Sequence, residues 1–297
     1  MQRVSTGPLE RLARIAAVLI IAAYASAPAG AETILFVGNS FTFGALSPVQ
    51  RFRPETVTDL NHDGVGGVPA LFKVFTSQCG LDYDVSLETA AGTDLEFHFE
   101  QKAALIARPW DHVILQPYST LDQNSPGNGS KVIEYSARLA RLFQSENPHV
   151  DVRLVATWSR ADQTYLPSGH WYGKPIEAMA KDLRAADDRA VDNYPGIRAV
   201  IPVGQAWSLA INLAVAVRNP YRGVPHGQIN LWAKDNYHAS TYGYYLEALV
   251  IFGSVTGRDP RALGRQELAA TQLGIASADA AALQELAWES LRRYQHK

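Results

Sequence analysis

Ile34-Leu35-Phe36-Val37-Gly38-Asn39-Ser40-Phe41-Thr42 is the stretch on which the reading of this chain turns. Four consecutive apolar residues, closed by glycine and two small polar residues, have the pattern of a strand buried on both faces that ends in a turn. Such strands belong to parallel sheets covered by helices, and open α/β sheets bind ligands at the carboxyl ends of their strands. Ser40 falls at that edge, so its hydroxyl is placed where a substrate would arrive.

Outward from this run, short apolar segments alternate with helical patterns, the sequence sign of a parallel sheet with helices on both faces. Strands are expected at 34–37, 82–87, 112–115, 152–156 and 199–203, with helices near 69–78, 98–107, 131–144, 175–190 and 205–217. In the third of these helices Val132, Tyr135, Leu139, Leu142 and Phe143 recur at helical spacing, which gives it one face to lay on the sheet. Ser240 is placed to cap a helix from about Thr241 that ends near Gly253 or Gly257, and a last helix is expected from about Asp279 with Ser277 as its cap. No repeat, low-complexity segment or linker divides the chain. The expectation is a single flavodoxin-like three-layer α/β domain over residues 32–297, built on a central, mostly parallel five-stranded sheet.

The 297 residues, 47% hydrophobic and 19% charged, suffice for one large domain with a buried core. Lys and Arg number 27 against 29 Asp and Glu, and the resulting charge of −2 gives no drive toward nucleic acid or an anionic membrane. A small or neutral substrate is the expected partner. At the N-terminus Arg3, Arg11 and Arg14 lead into an apolar segment over 15–27 and then Pro28-Ala29-Gly30-Ala31, the tripartite layout of a secretory signal with Ala29-x-Ala31 as its cleavage site. Residues 1–31 are therefore expected to be removed on export, leaving a periplasmic or secreted chain that begins at Glu32 and is not stably inserted in the membrane. The alternative, an uncleaved anchor, meets an apolar run short of the ~20 residues that a span needs.

About two hundred residues after Ser40 the chain reads Asp235-Asn236-Tyr237-His238. A serine hydroxyl is a poor nucleophile until a base takes its proton, and a carboxylate that holds the imidazole in the right tautomer completes the set. Ser40, His238 and Asp235 supply nucleophile, base and orienter in an order that permits a triad; a helix cap for Ser40 and a packed histidine for His238 are the structural alternatives. Gly-Asn-Ser after the first strand, paired with a late Asp-x-x-His, resembles the SGNH (GDSL-like) hydrolases. That resemblance implies an oxyanion hole made of the backbone N–H of Ser40, a backbone N–H at a glycine after the second strand, for which Gly92 in Thr89-Ala90-Ala91-Gly92-Thr93 fits, and a side-chain amide after the third. Where the family carries Gly-x-Asn-Asp, this chain has Leu115-Gln116-Pro117, so Gln116 becomes the candidate amide donor, with Tyr118, Ser119 and Asn124 as other donors nearby.

The resemblance implies an ester hydrolase working through an acyl-enzyme on a small acyl ester, with a carbohydrate O-acetyl group as the leading candidate; a non-catalytic carbohydrate-binding protein and a sugar O-acyltransferase are the alternatives. No cofactor is expected: the chain has no Gly-x-Gly-x-x-Gly, no P-loop and no His-Glu-x-x-His. Asp59-Leu60-Asn61-His62-Asp63-Gly64 matches the first half of a calcium loop, but position twelve is Ala70, so calcium and a polar turn both stand. Cys79 is the single cysteine, which excludes an internal disulfide and reads as a small core residue. Trp158, Trp171, Tyr172, Trp207, Tyr221 and Trp232 lie at strand ends and loops, where they are either sugar-stacking faces or core, and the loops over 117–130 and 165–174 are candidate substrate walls.

Overall fold

The apolar run does form a strand: β1 spans Glu32–Gly38, and Ile34 to Gly38 are buried. This computed structural model describes residues 30–294, so the expected export signal lies outside the described residues apart from its last two positions. In chain order β1 is followed by β2 (Thr58–Asp59), α1 (Gly67–Gln78), β3 (Tyr83–Thr89), α2 (Leu95–Ile106), β4 (His112–Leu115), α3 (Ser130–Glu146) and β5 (Asp151–Val155). There follow α4 (Ala161–Tyr165), α5 (Glu177–Asn193), β6 (Ile197–Ile201), α6 (Val203–Asn212), α7 (Thr241–Thr256), α8 (Leu268–Gln272) and α9 (Ser277–Tyr294).

The strands make one open, all-parallel sheet in the order β2-β3-β1-β4-β5-β6, six strands where five were expected. The additional strand, β2, has only two residues and exists by pairing with the edge of β3 at Ser86 and Leu87, too short to show an alternation of its own. β6 begins and ends two residues before its expected place because Pro202, which has no N–H to give a ladder, closes it and serves as N-cap of α6. α6 stops at Asn212, short of the expected residue 217; the remaining elements lie where expected to within a few residues, and the chain has a flavodoxin-like three-layer α/β fold.

Successive residues of β1 feed opposite cores, as the two-residue period of a strand requires. Ile34 and Phe36 join α1, α6, α7 and α9 on one face; Leu35 and Val37 join α2, α3 and α5 on the other. The chain leaves β1 toward β3 on one side and toward β4 on the other, so the strand order reverses at β1 and opens a crevice beyond its carboxyl end. In register, Gly38 pairs with Thr89 and Val37 with Leu115, which aligns the residues following these three strands along one edge of the sheet. Ser40, Gly92 and Gln116 are all in those following segments.

Candidate active site

The turn carrying Ser40 is built around Gly38 and Gln116. A Cβ on Gly38 would stand 2.2 Å from Thr42 Oγ1 and 2.8 Å from Gln116 Oε1, so only glycine admits the tight closure of this turn. Gln116, 2% exposed, accepts through Oε1 from the Asn39 backbone N–H at 3.0 Å and from the Thr42 hydroxyl at 3.1 Å. Because a backbone N–H can only donate, this contact fixes which end of the amide is oxygen. The other end, Nε2, donates to the carbonyl of Pro117. The amide expected to reach an oxyanion thus holds the turn through Oε1, while its bond to Pro117 uses one of the two Nε2 hydrogens.

Asn39 ties this turn to the loop after β3: its Nδ2 donates to Thr93 O at 2.9 Å, and its Oδ1 accepts from the Phe41 N–H at 3.1 Å. The loop itself hangs on a buried pair. Glu88 and His98, both fully buried, meet at 2.5 Å, and the far nitrogen of His98 lies 3.1 Å from Thr93 Oγ1, which donates to Ala90 O at 2.8 Å. Gly92 sits exposed at the crest with φ +69°, a conformation that costs glycine little. Neither its N–H nor that of Ser40 bonds to another group among the described residues. Sequence reasoning did not find Glu88 and His98, because a histidine ten residues from a glutamate carries no motif.

Asp235 and His238 stand on a hairpin closed by Ala233 N–H to His238 O at 2.7 Å and Ser240 N–H to Leu231 O at 2.7 Å. Asn236 takes the left-handed conformation (φ 55°) at its tip, one that asparagine tolerates better than most residues. Asp235 Oδ2 lies 2.7 Å from His238 Nδ1, and its Oδ1 accepts the N–H groups of Tyr237 at 3.1 Å and His238 at 3.0 Å. Burial opposes the charge on Asp235, but the bond to His238 and the two backbone donors outweigh it and hold the carboxyl below its usual value. Ser240 caps α7 as expected, accepting from the Gly243 N–H at 3.3 Å, and α7 ends at Gly257.

An aromatic column brings the hairpin to the Ser40 turn. Phe41 stacks on Trp158 with centroids 4.1 Å apart, Trp158 on Trp207 at 4.6 Å, and Trp207 meets Trp232 edge-on at 5.4 Å. Each such pair adds about 0.5–1.5 kcal/mol beyond its area. Phe41, the residue after Ser40, also packs against Tyr237 at 5.5 Å and His238 at 5.7 Å, while the Trp158 indole donates to Tyr237 O at 3.2 Å. From α7 the buried Tyr244 hydroxyl reaches the carbonyls of Ser40 at 3.2 Å and Ala45 at 3.1 Å. Ser40 Oγ and the far nitrogen of His238 bond to no group among the described residues, so the nucleophile–base bond itself is not formed here. Hydrogen bonds of this kind commonly tighten only when substrate is bound.

Four of the tryptophans named as sugar-stacking candidates, Trp158, Trp171, Trp207 and Trp232, are no more than 2% exposed, so they are core; Tyr172 and Tyr221 are at the surface. Ser119 is buried and its hydroxyl accepts from Arg160 at 3.2 Å, Asn124 lies at the surface, and Tyr118 is half-buried, with burial raising its hydroxyl above the usual tyrosine value. In the calcium-like turn Asp59 accepts three backbone N–H groups, from Asn61, Asp63 and Val65, while Asn61 Oδ1 accepts from the Lys102 ammonium at 2.9 Å. The segment forms a polar turn in which the Asp59 and Asn61 side-chain oxygens accept from the protein's own donors. Burial raises the Cys79 thiol, with Arg258 opposing, so a thiolate is disfavoured there.

No protein-family model matches the chain, and no curated protein sequence matches it significantly. Solved structures do resemble it. A DUF4886 family protein from Bacteroides uniformis superposes with a TM-score of 0.61 at 18% identity, over 88% of this chain and 95% of that one. A protein named as a GDSL-like lipase, from Parabacteroides merdae, gives 0.52 at 16% identity over 77% and 96%. One named as an SGNH hydrolase, from Slackia heliotrinireducens, gives 0.47 at 20% identity over 75% and 98%. The chain has the SGNH (GDSL-like) hydrolase fold.

Proposed function

We propose that this protein is an exported serine ester hydrolase in which Ser40 is the nucleophile, His238 the general base and Asp235 its orienter, acting on a small acyl ester such as a carbohydrate O-acetyl group. The observation that carries the reading is the Asp235–His238 bond of 2.7 Å on a hairpin packed through Phe41 and Trp158 against the turn that bears Ser40. His238 takes the Ser40 proton as Oγ attacks the ester carbonyl, and Asp235 stabilises the imidazolium that results. The oxyanion develops against the N–H groups of Ser40 and Gly92, which no acceptor among the described residues occupies. Collapse returns the proton to the departing alkoxide, and water then repeats the sequence on the acyl-enzyme.

Measuring p-nitrophenyl acetate hydrolysis by the chain and by Ser40→Ala and His238→Ala tests this, with circular dichroism to confirm folding. Each variant should lose nearly all activity, because members of a triad act as a unit. Hydrolysis at the parental rate by folded Ser40→Ala overturns the assignment.

The engagement of Gln116 beneath the turn favours one second reading, a carbohydrate-binding protein that keeps the fold without turnover. One lost oxyanion donor commonly costs ~2.7–4 kcal/mol in the transition state. Fluorophosphonate labelling separates the two, since only an activated Ser40 is modified. Export rests on the N-terminal sequence, and N-terminal sequencing of secreted protein should begin at Glu32.

A further inference from the structure

A cleft of about 640 Å³ opens beside the Gly92 loop, within the ~300–1,000 Å³ usual for small-ligand sites. Ser40, Asp235 and His238 do not line it, but Ala90 and Ala91, on the same loop as Gly92, form one wall, and Phe43, three residues beyond Ser40, forms another. It therefore borders the loop that carries Gly92 and the turn that carries Ser40. We infer that this cleft receives the alcohol half of the substrate and that this half is a carbohydrate, an inference that rests on the serine esterase reading above.

The lining chemistry sets the class. Polar groups predominate, which suits the alcohol half better than an acyl chain. Its cations already have partners within the protein: Arg51 Nη1 donates to the carbonyls of Asp63, at 2.5 Å, and Gly64, at 2.7 Å, while Lys102 rests on Asn61 and lies 3.9 Å from the buried Glu88. With those donors engaged and the Asp63 carboxylate adding negative charge, the cleft has little to offer an anion. What stays open is mixed: the Asp63 carboxylate and the Gln50 side-chain amide bond to nothing among the described residues. Together they can accept from hydroxyls and donate to them. Phe43 and Phe97, both half-buried, add apolar ring surface on which the C–H face of a pyranose can lie. A neutral polyol with one apolar face satisfies all of these groups at once.

The test uses the purified chain, p-nitrophenyl acetate and mono-O-acetylated tetrasaccharides of glucose, mannose, xylose and galactose. At least one tetrasaccharide ester should show kcat/KM roughly tenfold or more above p-nitrophenyl acetate. In Asp63→Asn, an exposed and isosteric change, and in Phe97→Ala, the ratio of the two kcat/KM values should fall about tenfold, carried by KM for the sugar ester. A parallel calorimetric titration of the best tetrasaccharide ester into Ser40→Ala, with and without Phe97→Ala, reads binding without turnover. Hydrolysis of p-nitrophenyl acetate without preference for any sugar ester, or equal slowing of both substrates in the variants, overturns the cleft assignment and leaves the esterase reading standing. Binding that weakens about tenfold with Phe97→Ala while no ester is turned over does the reverse.

Discussion

Replacing Gln116 with alanine should destabilise the fold by about 2–4 kcal/mol, because Oε1 is the acceptor for two groups that water cannot reach. With Gln116 only 2% exposed, its loss strands the Asn39 N–H, bonded at 3.0 Å, and the Thr42 hydroxyl, bonded at 3.1 Å. An orphaned buried donor costs ~1–3 kcal/mol; the amide proton cannot turn away and bears the larger share, whereas the hydroxyl can rotate to another acceptor. For a domain of this size each kcal/mol shifts Tm by roughly 2–4 °C, so a drop of about 5–15 °C is expected by scanning calorimetry. Were the amide instead an oxyanion donor, its removal would lower kcat by roughly 10²–10³ and leave the midpoint in place. A variant that melts with the parent while losing that much kcat refutes the positioning role and restores Gln116 to the oxyanion hole.

Asp235→Asn should keep the fold, since Oδ1 can still accept from the Tyr237 and His238 N–H groups, while kcat drops by up to ~10⁴ as His238 loses its orienting carboxylate; steady-state kinetics beside circular dichroism reads both. Tyr244→Phe removes the hydroxyl that meets the Ser40 and Ala45 carbonyls and should cost about 1–2 kcal/mol in urea denaturation. At the amino edge of the sheet, burial works against charge on His112, but Asp151, 3.5 Å from Nδ1 at ion-pair distance without hydrogen-bond geometry, and Glu32, 2.8 Å from Nε2, outweigh it and raise its pKa. Burial likewise opposes charge on Asp151, while His112 and Arg153 overcome it and lower the carboxyl to about 2. The His112 contribution is full below about pH 6.5 and is lost as pH rises through the raised value; the Asp151 contribution is full above about pH 3.9 and is lost as pH falls toward 2. Tm should therefore be highest between about pH 4 and 6.5 and decline above it, and His112→Gln should flatten the alkaline side of the profile.

The parts of the fold legible in the sequence are those that a local pattern dictates. The apolar run before Gly38 could satisfy its period only as a buried strand, and Ser240 announced α7 because a hydroxyl before a helix has one energetic use. What escaped was set by distant partners. β2 exists only because β3 offers an edge, and the helix expected to reach residue 217 stops at Asn212, beyond which Ala216 bridges to Ile229. Trp158 lies just past the end of β5 and Trp207 in the first half of α6, yet their burial depends on each other and on Phe41, more than a hundred residues away. Gln116 is the sharpest case. Composition announces an amide, but only the neighbouring Asn39 N–H decides which way it points.

β1 has a direction, and that direction orients whatever is joined to the chain. Glu32 begins the strand at one edge of the sheet and Ser40 follows Gly38 at the opposite edge, about 20 Å away at ~3.3 Å per residue. A tag, linker or surface attached just ahead of Glu32 is therefore separated from the candidate catalytic edge by the full height of the sheet. Protein immobilised through that end would present the crevice outward, clear of the support.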